Sequence, residues 1–259
     1  MKSQPHSHTA PRIALVTGAA RRIGRHIALA LAHAGWDVAV HYNRSRDEAD
    51  EVVREIEALG RRALAVRAEL GDEGQVRGLL AQAAPLGRVS CVVNNASLFD
   101  FDDAASFGNE RLMRHMCANV GAPVLLAQAL FEATPEGAQS VVVNLLDQKL
   151  YNPNPDYLSY TLSKAALHNA TTLLAQALAP RVRVVGVAPG ITMASGDQTA
   201  EEFDRAHQVT PLGKSSTPDD IAAAVCYVAS APAVTGTTLL VDGGQHLLPL
   251  SRDVMFVAK

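Results

Sequence analysis

The sequence predicts an α/β fold of the doubly wound type, one domain whose parallel sheet carries helices on both faces. Three observations predict it. Short runs rich in β-branched residues alternate with helical stretches of about ten residues or more, which calls for parallel pairing through right-handed crossovers. A glycine-bearing turn joins the first strand to the first helix, and no break in composition divides the 259 residues.

Taken in order, residues 13 to 16 form a β-rich run that meets Thr17-Gly18. Residues 23 to 34 then carry apolar side chains at helical spacing up to Gly35, which suits a C-cap. Residues 37 to 42 read as the second strand, 48 to 59 as a helix closed by Gly60, and 63 to 67 as the third strand. A helix at 75 to 84, a strand at 89 to 93 and a long helix at 111 to 133 with one proline follow. The fifth strand, 140 to 145, leads into a stretch of Asn and Pro, a second long helix at 159 to 179 and a sixth strand at 182 to 187. Residues 192 to 215, rich in Gly, Ser, Thr and Asp with weak periodicity, read as a substrate loop beyond the carboxyl edge of the sheet. A helix at 221 to 230 and a last strand at 238 to 241 end in Asp242-Gly243-Gly244. Residues 1 to 10 read as a frayed tail ahead of a single domain at 11 to 259. The closing segment keeps Leu247, Leu248, Leu250, Met255, Phe256 and Val257, too apolar for a free end, so it is expected to pack on a neighbouring subunit or on the substrate pocket.

Composition excludes several classes. With 48% hydrophobic and 19% charged residues the chain carries a large core and is not disordered. The net charge is -3 and no basic stretch stands out, which argues against a nucleic-acid partner. Charge, Gly or Pro interrupts every apolar run before the ~18 residues that span a bilayer, so no membrane association is expected. The first residues do not resemble a signal peptide, and Cys91, Cys117 and Cys226 lack paired spacing; a cytoplasmic protein with reduced thiols is expected. The nine histidines show no ligand spacing, and no metal is expected.

The chemistry-bearing residues gather at strand ends. In Thr17-Gly18-Ala19-Ala20-Arg21-Arg22-Ile23-Gly24, glycines at a strand-to-helix turn let backbone approach a pyrophosphate, whose charge meets the helix N-terminus. About twenty residues beyond Gly24, where an acidic residue would select NAD, the chain reads His41-Tyr42-Asn43-Arg44-Ser45. The Arg44 guanidinium can pair with a 2′-phosphate and Ser45 can add a hydrogen bond, so NADPH is the expected cofactor. Asn94-Asn95-Ala96-Ser97 closes the fourth strand with small polar residues suited to a turn against a flat ligand. Tyr160 and Lys164, four apart, leave one helix face, where an ammonium near a phenol would lower the phenol pKa.

Thr17-Gly18 to Gly24, Asn94-Asn95-Ala96, Asn119, Tyr160-x-x-x-Lys164, Pro189-Gly190 and Asp242-Gly243-Gly244, in this order, resemble the short-chain dehydrogenase/reductase family over residues 12 to about 248. The resemblance implies a Rossmann-type sheet of about seven strands with nicotinamide cofactor and substrate at its carboxyl edge. It makes Tyr160 the proton donor, Lys164 a ribose contact and Asn119 the support of a water in the proton relay. It extends the cofactor set to Gly18, Arg21, Arg22, Ile23, Gly24, Glu69, Leu70, Asn95, Ala96, Ser97, Pro189, Gly190 and Thr192. Two departures narrow it: Asp147 stands thirteen residues before Tyr160, where most members have Ser, and Arg22 replaces the middle glycine. Both occur in pteridine and dihydromonapterin reductases, which also share His41-Tyr42-x-Arg44-Ser45, Phe99 and Tyr157. That closer resemblance implies a pterin stacked between Phe99 and the nicotinamide, with Arg22 and Ser97 at its polar edge and Asp147, Tyr157, Tyr160 and Met193 around it. The expected reaction is reduction of a dihydropterin C=N bond in a homotetramer. A carbonyl reductase of 3-oxoacyl thioesters and a non-catalytic NADPH-binding sensor are the competing readings.

Overall fold

Apolar strands and amphipathic helices assemble largely as their alternation predicts. The computed structural model describes residues 12–194 and 198–257; the expected tail at 1–10 lies outside them. Strands β1 (Ile13–Val16), β2 (Asp37–Tyr42), β3 (Ala63–Arg67), β4 (Val89–Asn94), β5 (Ser140–Leu145), β6 (Val182–Pro189) and β7 (Thr238–Val241) form one sheet in the order β3-β2-β1-β4-β5-β6-β7. Every neighbouring pair is parallel. The helices are α1 (Arg22–His33), α2 (Arg46–Ala58), α3 (Glu73–Arg77), α4 (Leu79–Ala83), α5 (Asn109–Met116), α6 (Ala122–Ala133), α7 (Leu158–Leu178), α8 (Ala200–Gln208), α9 (Pro218–Ser230) and α10 (Val254–Val257).

Every residue of β1, β2 and β5 is buried, as it must be in strands covered on both faces. Alternation splits β1 between two cores. Ala14 and Val16 join Ile27, Leu31, Val52, Ile56 and Ile221 on one face, and Ile13 and Leu15 join Leu79, Leu126 and Leu130 on the other. Each fully buried Leu or Ile contributes about 1.5–3 kcal/mol of transfer free energy, so both layers hold the strand ends rigidly. A polar chain fixes α7 as well: Asn94 Nδ2 donates to Asn144 Oδ1 (2.8 Å), and Asn144 Nδ2 to Thr171 Oγ1 (2.9 Å).

Three departures from the sequence reading have physical causes. The helix expected at 75 to 84 is two short ones, α3 and α4, meeting at Gly78, the poorest helix former in the stretch. The long helix begins at Asn109 and passes through a π turn at Cys117–Gly121, just before Pro123, which has no N–H to offer the carbonyl of Asn119. By length and composition that stretch, Asn109–Ala133, could cross a bilayer, which the interrupted apolar runs did not suggest. Its Leu126, Ala127 and Leu130 instead pack in the second core. The expected loop at 192–215 contains α8, held by a capping box in which Thr199 accepts from the Glu202 amide and the Glu202 side chain accepts from Thr199 N–H. The closing segment, expected to pack on a neighbouring subunit or on the substrate pocket, folds back so that Asp253 and Val254 border a cavity at the carboxyl edge.

Candidate active site

β1 lies between β2 and β4, and the turn after it is braced from the end of β4. Thr17 Oγ1 accepts from the amides of Asn95 and Ala96, each at 3.0 Å, while Asn95 Nδ2 donates to the carbonyls of Thr17 (2.9 Å) and Gly18 (3.3 Å). Gly18 has φ +63°, and a Cβ on Gly24 would stand 2.2 Å from the Gly18 carbonyl oxygen. This close approach explains both glycines. No side chain caps α1 and no acidic residue lies in its first turn. Its N-terminal amides therefore suit a phosphate.

His41 holds the turn from the other side. Gly18 N–H donates to its Nδ1 (3.0 Å) and its Nε2 lies 3.1 Å from the Ala68 carbonyl oxygen, an arrangement that needs a neutral ring protonated on Nε2. Burial pushes its pKa down to about 4 from an ordinary 6.5, against the opposing pull of the Ala68 carbonyl and Glu69. The unfolded chain then binds more protons between these two values, so stability falls as pH drops through that window and is unaffected by this group above it. The expected loss on going from pH 7 to below pH 4.5 is about 3 kcal/mol at most. Denaturant midpoints at the two pH values should therefore fall further in the wild type than in His41→Gln; parallel losses would dismiss the effect.

Two cavities flank the turn. One, of ≈ 830 Å³, is bordered by Gly18, Arg21, Tyr42, Asn43, Arg44, Ser45 and Glu69. The other, of ≈ 420 Å³, is bordered by Arg22, Ile23, Asn95, Ser97, Phe99, Asp147, Tyr160, Lys164, Pro189, Gly190, Thr192 and Met193. Glycine cradle, uncapped helix start and the exposed Arg44 guanidinium together fit a dinucleotide phosphate laid across the turn. Arg21 pairs with Glu48 rather than facing solvent alone, and Asn43 donates to Glu69.

Five of the expected site residues line neither cavity. Gly24 lies beneath the turn, and Ala96 packs at 3.1 Å from where a Gly18 Cβ would stand. Leu70 packs against the second core, and Gly71 takes its place at the cavity edge. Asn119 is buried in the π turn, where its side chain bonds both backbone groups of Leu98 and the Ser163 hydroxyl. Tyr157 stands behind Phe99, its ring stacked on it at 4.2 Å. A residue behind the wall supports the contact face rather than forming it.

Among the described residues, Arg22 (φ +53°) and Tyr157 (φ +54°) are the non-glycine residues in the left-handed region, which costs about 1–2 kcal/mol each. Both sit at this site. The Arg22 guanidinium donates to the Ala194 carbonyl (2.9 Å), linking the glycine-bearing turn to the start of the substrate loop.

At the centre, Tyr160 Oη donates to Asp147 Oδ2 at 2.7 Å, and Asp147 Oδ1 accepts the Lys149 amide at 2.8 Å. Burial pushes the Asp147 carboxyl pKa up, partly opposed by those two hydrogen bonds. Burial, reinforced by the Asp147 charge, lifts the Tyr160 phenol well above its ordinary value. This reverses the expectation that Lys164 lowers it. The Lys164 ammonium donates to the Leu145 carbonyl (2.7 Å), lies 5.6 Å from the Tyr160 ring centre, and is itself pushed down to about 8 by burial. The pair Tyr160–Asp147 therefore stores a proton at neutral pH and can hand it to a basic atom in the cavity.

Sequence reasoning missed the charged groups that close this cavity. Buried Lys149 donates to the Asp156 carbonyl (2.6 Å) and to Asp253 (3.1 Å), while the Asp156 carboxylate takes the Arg252 guanidinium (2.8 Å) and the Asp253 amide (2.7 Å). Only the apolar residues of the closing segment had drawn notice; Arg252-Asp253 among them was the available signal.

A family model described as enoyl-(acyl carrier protein) reductase matches residues 18–246. An uncharacterised oxidoreductase of Methylorubrum extorquens is 36% identical over 242 residues, 90% of this chain and 97% of its own length. The crystal structure of FolM alternative dihydrofolate reductase 1 from Brucella canis, complexed with NADP, superposes with a TM-score of 0.89 at 42% identity, covering 94% of this chain and 97% of that one. The angucycline C-6 ketoreductase LanV with bound NADP superposes with a TM-score of 0.83 at 33% identity, covering 92% and 96%. With the parallel sheet, the glycine cradle and the Tyr160–Lys164 helix, these matches establish that the chain belongs to the short-chain dehydrogenase/reductase family of oxidoreductases.

Proposed function

We propose that the protein is an NADPH-dependent reductase of a dihydropterin C=N bond, with dihydromonapterin, dihydrobiopterin and dihydrofolate as candidate substrates. The observation that carries this reading is the 2.7 Å hydrogen bond between Tyr160 and Asp147 in the wall of a cavity shared with Phe99. A pterin is flat and electron-poor, so the Phe99 ring backed by Tyr157 suits its face. Its amino and ring N–H groups need acceptors, which Asp147 supplies and the family's usual serine would supply less strongly. Arg22 and Ser97 border the same cavity and suit the polar edge.

When bound, NADPH would supply the hydride for the imine carbon. The chain's own part is orientation and a proton. Lys164, Pro189, Gly190 and Thr192 line the cavity that would take the nicotinamide half, and Arg44, with Asn43 and Ser45 beside it, would meet the 2′-phosphate. Tyr160 passes its hydroxyl proton to the nitrogen next to the reduced carbon, a proton taken up from solvent restores the phenol, and Asp147 holds that hydroxyl in place as its acceptor. Met113, Leu162 and Leu173, exposed and apolar on α5 and α7, favour the homotetramer.

A carbonyl reductase is the second reading, favoured by the likeness to the ketoreductase LanV. Against it, an ionised Asp147 would repel the oxyanion that ketone reduction develops. Purified protein should oxidise NADPH, in preference to NADH, with a panel of C6-substituted dihydropterins and not with β-ketoacyl thioesters or aryl ketones. Turnover of ketones alone would replace the first reading by the second.

A further inference from the structure

We propose that Gln148 binds substrate, its amide oxygen accepting a hydrogen bond from an N–H or O–H group of the ligand; the inference rests on the donor-bearing heterocycle proposed above. Gln148 borders the ≈ 420 Å³ cavity, and its Oε1 is buried without a hydrogen-bond donor. Buried acceptors in native proteins nearly always have a partner, and an acceptor at a cavity wall can take it from a ligand.

The backbone that carries Gln148 is held in place. It opens a short 3₁₀ turn, Gln148–Leu150, for which Asp147 is the cap, and the Tyr151 amide donates to the Gln148 carbonyl at 2.9 Å. The next residue, Lys149, is tethered by Asp156 and Asp253. Each oxygen of Asp147 already has one protein donor, Lys149 N–H on one and Tyr160 Oη on the other, and keeps a lone pair for a ligand. The adjacent Gln148 oxygen has none. Together they make an acceptor-rich wall beside the reacting atoms. A simple ketone accepts hydrogen bonds and offers nothing to this wall, whereas an amino-substituted ring with N–H groups satisfies it.

Gln148→Met removes the acceptor at similar volume. For the dihydropterin that the wild type reduces best, we expect KM to rise about 10-fold while kcat changes by no more than about two-fold and the KM for NADPH holds. Gln148→Glu, which keeps an oxygen in place, should bring KM back to within about three-fold of the wild type. Should the Met variant melt below the assay temperature, Gln148→Ala reads the same loss. An unchanged substrate KM would mean that no ligand group reaches this oxygen and would overturn the inference, as would a parallel fall in kcat and NADPH affinity. Wild-type protein that reduces no dihydropterin overturns the proposed function itself, and that is read before any variant is made.

Discussion

Replacing Tyr160 by Phe is expected to lower kcat by ~10²–10⁴-fold, the usual range for removing a positioned proton donor. The substitution takes away one oxygen. The ring remains packed edge-on to Phe99, with centroids 4.7 Å apart, and the Lys164–Leu145 bond is untouched. NADPH affinity should therefore stay near the wild-type value, measured by quenching of intrinsic fluorescence or by calorimetry. The geometry also sets a pH expectation. Because burial and Asp147 keep the phenol protonated well above its ordinary range, loss of activity between pH 7 and 10 cannot come from ionisation of Tyr160. A decline near pH 8 would instead report Lys164, whose buried ammonium is pushed down to about 8. If Tyr160→Phe kept its turnover, the proton would have to come from elsewhere and the assignment of the pair would fall.

Substituting Gly24 by Ala is expected to weaken NADPH binding by more than about 10-fold and to destabilise the fold by about 1–3 kcal/mol, the range for forcing atoms into a packed site. The added Cβ would lie 2.2 Å from the Gly18 carbonyl oxygen and 2.5 Å from Asn95 Nδ2. Neither neighbour can yield cheaply. Gly18 is backbone held by His41, and the Asn95 amide is committed to the carbonyls of Thr17 and Gly18. The start of α1 must therefore move away from β1, taking the phosphate-facing amides with it. Gly108→Ala is the control: a Cβ there meets nothing within 4 Å and the backbone is extended, at φ -144°. Equal melting temperatures and equal cofactor affinity in the two variants would show that the close packing under the turn is not needed.

Much of this was legible in the chain because it depends on local period and spacing. Strands β1 to β7 announce themselves as short apolar runs, and the four-residue step from Tyr160 to Lys164 must place both on one face of a helix whatever surrounds it. The glycines of the first turn and the Asp147 departure are likewise visible as residue types at fixed distances. The helix within 192–215 was legible too, through Thr199 and Glu202, but its apolar pattern is too short to stand out from a loop.

Sequence alone thus determined the number of strands and their parallel direction, and it picked out the glycine-bearing turn and the Tyr160, Lys164 and Asp147 side chains as candidates for a phosphate cradle and a proton source. Only the tertiary structure decided how those groups behave. Whether Lys164 acts on Tyr160 depends on what else its ammonium can reach, and the Leu145 carbonyl lies nearer. Whether Tyr157 touches a ligand depends on Phe99 standing in front of it. The wall formed by Lys149, Asp156, Arg252 and Asp253 joins segments about a hundred residues apart, as the separations of 96 to 104 positions show. Burial and long-range ion pairing are sums over neighbours that folding brings together, and no periodicity along the chain encodes them.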